Sequence, residues 1–211
     1  ATDNHSSAGN PSVASQIVTL SINDVNEATT IESDDKTSID ENIADKTVVY
    51  TVKATDADSA ATLKYSLGTS NNEENFDINA DSGEVTFKDG VIPNFEGKSS
   101  YKIEVIATDN HSSAGNPSVA SQIVDISIND VNDAPIITSG TTAAFDENKA
   151  VGASVYTLTA TDEDSAATLT YSLGTTKDED KFDINADSGE VTIKSGFVAN
   201  FEDKSSYEIE V

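Results

Sequence analysis

The chain has 211 residues, with 12 Lys and Arg against 38 Asp and Glu, a formal net charge of −26. That charge argues against nucleic acid, whose phosphates need a basic face, and equally against an anionic lipid surface. It has no Cys, so disulfides, thiolate metal sites and a Cys nucleophile are excluded. With 36% hydrophobic residues the chain can still build cores. Its apolar runs are only a few residues long, too short for a transmembrane helix, so no membrane insertion is expected.

An internal repeat organises everything else. Residues 1–18 recur unchanged at 107–124, an offset of 106 residues. The same offset carries Asp40-Glu41-Asn42 onto Asp146-Glu147-Asn148 and Tyr65–Thr69 onto Tyr171–Thr175. It also carries Phe76–Thr86 onto Phe182–Thr192. A period of that length suits an autonomous domain rather than a solenoid unit. The phase predicts a final strand and linker of one repeat at 1–27, a complete repeat at 28–133, and a repeat lacking its last strand at 134–211. The whole reads as about two periods cut from a longer tandem array.

Within the complete repeat, hydrophobicity alternates with period two. Strands are predicted near 36–40, 47–54, 62–67, 75–78, 84–88, 101–108 and 119–129. Their inward rows would be Val48, Tyr50 and Val52; then Tyr101, Ile103 and Val105; then Val124, Ile126 and Ile128. In the following copy, Tyr207–Val211 is expected as the strand equivalent to the sixth of these. Turn residues separate the runs, and no stretch holds helical spacing for three turns. Seven one-sided strands in roughly 100 residues make an all-β, Greek-key β-sandwich the expected fold of each repeat.

Acidic residues gather where a sandwich places its ends: Asp40-Glu41, Asp56-Ala57-Asp58, Asn94-Phe95-Glu96, Asp109 and Asp130-Val131-Asn132-Asp133. Those motifs, in that order and spacing, resemble the cadherin repeat, specifically the bacterial cadherin-like repeats of large surface adhesins. The resemblance implies tandem seven-stranded sandwiches of immunoglobulin-like architecture with calcium at each junction between repeats. Carried onto this chain, one junction would use Glu41, Glu96, Asp130, Asn132 and Asp133, with Asp162 and Asp164 from the next copy. The other would use Asp24, Asn26 and Glu27, with Asp56, Asp58 and Asp109. Calcium independently suits such clusters, since it takes six to eight oxygens and relieves the repulsion among carboxylates. Asn94 stands where the family usually has Asp, which implies fewer ions per junction than in animal members. The chain has no Trp, so the strand exchange some animal cadherins use for adhesion does not carry over.

Other motifs read as structural. Asp77–Gly83 resembles the opening of a calcium-binding EF-hand loop, but the Gly falls one place late and no Glu occupies the twelfth position, so a tight turn with Gly83 at positive φ is expected. His5 and His111 lie in matching polar loops, and residues adjacent in sequence cannot form a Ser-His-Asp triad, so no enzyme is expected. The resemblance therefore implies an extracellular, calcium-rigidified adhesion repeat or projecting spacer, with neighbouring repeats as partners and a homophilic or carbohydrate ligand left open. The alternative is a carbohydrate- or protein-binding module attached to a secreted polysaccharide-active enzyme. Residues 1–27 are further expected to complete residues 134–211 of another chain, head to tail.

Overall fold

The computed structural model describes residue 2 and residues 14–58, 61–110 and 117–211. His5 and His111 lie outside the described residues, as does Asp3. All extended structure is β. Among the described residues, nine strands fall between residues 28 and 133: β1 (Thr30–Ile31), β2 (Lys36–Asp40), β3 (Val48–Thr51), β4 (Ala54–Thr55), β5 (Lys64–Leu67), β6 (Phe76–Ile78), β7 (Glu84–Phe87), β8 (Ser100–Thr108) and β9 (Val119–Asn129). Five follow: β10 (Ile136–Ile137), β11 (Ser154–Thr157), β12 (Ala160–Thr161), β13 (Phe182–Ile184) and β14 (Glu190–Ile193). Two single 3₁₀ turns, Glu73–Asn75 and Glu179–Lys181, lead into β6 and β13.

The chain divides into two compact units. One comprises residues 1–35, 48–87 and 102–124; the other comprises 36–47, 88–101 and 125–211. The larger sheet has the order β2-β9-β8-β5, in which β2 runs parallel to β9 from Lys36↔Asp125 to Asp40↔Asn129. A three-stranded sheet has the order β3-β7-β6 and its copy the order β11-β14-β13. The core of the first unit alternates as the pattern requires: Ile103, Val105, Ala107 and Val124 are fully buried, beside Phe76, Val85 and Phe87. Phe76 stacks on Phe87 with ring centroids 4.5 Å apart. In the second unit Leu158, Phe182, Val191 and Ile193 are buried, and Phe182 meets Phe145, Phe197 and Tyr207 edge-on at 5.9–6.3 Å.

Two expectations about strands are corrected. Strict alternation places Val48 inward, but it is exposed and Val49 is buried. A bulge between Val48 and Tyr50 is the cause, because it sets two residues opposite one and reverses the alternation upstream of it. Tyr207–Val211 is not a strand. In the first copy the equivalent strand β8 lies between β5 and β9. Among the described residues no strand equivalent to β9 lies along 207–211, and a strand is formed only where a ladder pairs it. Backbone bonds from Gly174 to Glu210 O and from Asp178 to Glu208 O nevertheless hold its other edge.

The turn expected at Asp77–Gly83 forms as such. Asn79 Oδ1 accepts from the N–H groups of Asp81 and Ser82, and Gly83 sits at φ 73°. A Cβ there would lie 2.7 Å from Val52 O, so only Gly fits.

Candidate metal centre

Glu41 follows directly after β2, and its side chain turns inward, only 3% exposed. Its Oε2 accepts from Phe95 N at 2.7 Å and its Oε1 from Val131 N at 2.8 Å. One carboxylate therefore ties the Asn94–Glu96 loop to the linker that leaves β9. Asn42 beside it adopts φ 55° and donates its Nδ2 to Asp133 Oδ1 at 3.0 Å. Asp133 N in turn donates to Asp164 Oδ2 at 2.8 Å, and Asp164 N donates to Asp162 Oδ1 at 3.0 Å. These bonds gather carboxylates rather than separate them.

Oxygens of Glu41, Glu96 and Asp130 all lie within 4.8 Å of one another, and so do those of Glu96, Asp133 and Glu163. The chemistry is that of a hard-cation site, with oxygen donors only and Glu96 shared between both groups. Electrostatics agree with the crowding. Desolvation and the charges of Asp164 and Glu41 raise the pKa of Asp130 above the ordinary carboxylate value. Asp133 is raised by desolvation and by Glu41, Glu163 and Asp164. Glu96 is pulled down by its own backbone N–H, yet desolvation and the charges of Glu41, Asp130 and Asp164 leave it raised on balance. Asp133 Oδ2 is buried and accepts no hydrogen bond from the described residues. A buried carboxylate oxygen in that condition fits a cation, which would replace the missing donors and cancel the repulsion.

The first unit gathers carboxylates as well, of which Asp24, Glu27, Asp56 and Asp58 are equivalent to Asp130, Asp133, Asp162 and Asp164. Oxygens of Asp24, Glu27 and Asp58 lie within 4.8 Å of one another, as do those of Asp56, Asp58 and Asp109. Glu27 N donates to Asp58 Oδ2 at 3.0 Å and Asp58 N to Asp56 Oδ1 at 2.9 Å, the same bonds one period earlier. Asp109 is buried, and its Oδ1 accepts from Ser118 N. The hydrogen bond and charge of Asp58 raise Glu27 above its ordinary value, with desolvation, Asp24 and Asp56 adding to it.

Of the residues expected at these sites, Glu41, Glu96, Asp130 and Asp133 stand together, and so do Asp24, Glu27, Asp56, Asp58 and Asp109. Asp164 lies against Asp130 and Asp133. Asp162 meets Asp164 N and belongs to neither three-carboxylate group. Asn132 donates its Nδ2 to Asp133 O at 2.7 Å and so braces the linker backbone. Asn26 follows the same linker pattern, one residue before Glu27. Two neighbours were not anticipated. Glu163, the middle residue of Asp162-Glu163-Asp164, joins Glu96 and Asp133 and accepts from Asn94 Nδ2 at 2.6 Å. No spacing rule marks it, because the middle of such a triplet ordinarily faces away. Asn42 could have been found from its place beside Glu41 in the recurring Asp-Glu-Asn triplet.

Buried carboxylates elsewhere serve structure alone. Glu73 accepts from Asn71 N and Glu104 N, both at 2.7 Å, and Glu179 repeats the pair with Lys177 N and Glu210 N. Burial opposes ionisation of Glu73, but the backbone donors prevail and lower its pKa.

The profile described as cadherin domain matches residues 35–129 and 141–211. Human Protocadherin Fat 1 is 36% identical over 188 residues, which cover 84% of this chain and 4% of that protein. Human Cadherin-23 is 36% identical over 195 residues, covering 87% of this chain and 6% of that protein. The chain thus spans a small fraction of these relatives. Among solved structures, mouse Cadherin-23 EC22-24 is 34% identical with a TM-score of 0.51, over 82% of this chain and 55% of that one. Human Protocadherin-24 EC1-2 shares the fold, with a TM-score of 0.63 at 21% identity over 88% of this chain and 86% of that one.

Proposed function

Because the chain belongs to the cadherin domain family, we propose that its two acidic clusters hold calcium and that the ion stiffens a tandem array of adhesion repeats. The observation that carries this reading is the buried Oδ2 of Asp133, without a hydrogen bond from the described residues and set beside Glu96 and Glu163. Glu41, Glu96, Asp130 and Asp133 would hold the ion from one side of the linker, and Glu163 and Asp164 from the other. Asp24, Glu27, Asp56, Asp58 and Asp109 would do the same one period earlier. The clusters stand next to linkers, so occupancy would fix the backbone between successive repeats. A stiff array reaches farther than a flexible one of equal length. The parent would be a large surface adhesin, and the setting extracellular. The exact recurrence of 1–18 at 107–124 supports recent duplication and a role set by array length. The bacterial origin proposed for that parent rests on the resemblance of the acidic motifs to bacterial cadherin-like repeats.

Extracellular calcium modules bind at about 10⁻⁴–10⁻³ M. Millimolar calcium should therefore raise the melting temperature by at least about 4 °C over chelator. Superimposable melting curves in chelator and in millimolar calcium would refute the proposal.

A further inference from the structure

An uncharged side chain stands among the carboxylates around the linker 130–133. Asn94 is half-buried and follows the fully buried Pro93. Its backbone is pinned on both sides: Pro93 O accepts from Asn42 N at 3.0 Å, and Phe95 N donates to Glu41 Oε2 at 2.7 Å. The side chain is oriented as well. Asn94 Oδ1 accepts from Gly97 N at 2.6 Å, and a backbone N–H must face the oxygen end of an amide. The NH₂ end is therefore turned the other way, where it donates to Glu163 Oε2 at 2.6 Å.

Glu163 is exposed, and its long side chain has rotamer freedom that a bound ion would otherwise have to remove. The bond to Asn94 removes it beforehand. That bond takes one of about four lone-pair positions on the carboxylate and leaves the others for a cation. An oxygen of Glu163 stands within 4.8 Å of oxygens of Glu96 and Asp133. Asn42 acts in the same way on Asp133: its Nδ2 holds Oδ1 at 3.0 Å, while Oδ2 stays buried with no hydrogen bond from the described residues. Ala57 fills the position equivalent to Glu163 in the first unit, so the fold accommodates this triplet without its middle carboxylate.

We infer that Asn94 is a positioning residue for calcium: it holds Glu163 in the pose in which that side chain, with Glu96 and Asp133, meets the ion. The inference rests on the calcium reading of this cluster. An amide suits the role because it offers a carboxylate a donor, whereas Asp at position 94 would set a like charge against Glu163. Donors one shell out from a metal fix the direction of a ligand, and their loss commonly costs about 10–100-fold in affinity. For an exposed ligand such as Glu163 the lower end, about tenfold, is expected.

The test is a double-mutant cycle read by calorimetric calcium titration of the full chain, with Asn94→Ala, Glu163→Ala and the two combined. Asn94→Ala should weaken binding about tenfold while Glu163 is present, and by less than about twofold once Glu163→Ala has been made. Loss of the brace to Gly97 N occurs in both backgrounds and cancels in the comparison. An equal loss in the two backgrounds overturns the inference, and so does a single variant Asn94→Ala that binds as tightly as wild type. A second readout needs no ion. In chelator the side-chain NH₂ resonances of Asn94 should move on Glu163→Ala, and resonances that stay in place would remove the contact on which the inference stands. A wild-type chain that binds no calcium refutes the calcium reading and this inference with it, whereas a wild type that binds while the cycle is additive overturns the role of Asn94 alone.

Discussion

Replacing Glu41 by Gln tests how far the acidic cluster is organised by a single buried side chain. The substitution keeps the volume and removes the charge. In the wild-type chain both carboxylate oxygens accept from backbone N–H groups, Phe95 at 2.7 Å and Val131 at 2.8 Å. Gln offers one oxygen, and its amide NH₂ must face the other N–H donor, leaving that bond unmade. A hydrogen bond to a charged group contributes about 1.5–3 kcal/mol, so the ion-free chain should lose about 2 kcal/mol of unfolding free energy. A second loss concerns calcium. At about 5 mM ion and a dissociation constant of about 10⁻⁴–10⁻³ M, binding should add about 1–2 kcal/mol to the wild-type chain. Glu41→Gln should lack most of that increment at this cluster. Urea unfolding of both chains, each in chelator and in 5 mM calcium, separates the two effects. A variant that gains as much from calcium as the wild type refutes the placing of Glu41 among the ligands. A variant as stable as wild type in chelator refutes its bridging role.

Ile126→Ala should destabilise the fold by about 2–5 kcal/mol, because Ile126 is fully buried on the inward face of β9; chemical denaturation reads this. Glu73 has a lowered pKa, since its backbone donors outweigh the desolvation that opposes them. Its contribution is therefore present above the ordinary carboxylate pKa and is lost as pH falls through the lower folded value. Glu73→Gln should flatten that part of the stability profile, which urea midpoints between pH 7 and pH 3 would reveal. Asp130 and Asp133 are raised instead, so protons should begin to compete with calcium above the ordinary carboxylate range. Calorimetric titration at pH 7 and pH 5 should show weaker binding at the lower pH, and equal affinities would contradict the ligand assignment.

The alternation of Tyr101, Ile103 and Val105 and of Val124, Ile126 and Ile128 was legible in the sequence, because a pleated strand presents alternate residues to opposite faces whatever surrounds it. The turn at Gly83 was legible for a similar local reason, since only Gly tolerates both its φ and the approach of Val52 O. The repeat also marked Glu41, Glu96, Asp130, Asp133 and the Asp56–Asp58 pair, as acidic residues recurring at one offset. Tertiary structure alone decided the rest. The bulge at Val48 depends on how β3 meets β7, and period-two reasoning has no access to a partner's register. Tyr207–Val211 carries a strand pattern but forms no strand, because a ladder needs a neighbour and propensity supplies none. Glu163 joins Glu96 and Asp133 only because the backbone after β12 brings residues far apart in sequence within a few ångströms. Which carboxylates share an ion's reach is a property of distances in space, and a sequence records only order along the chain.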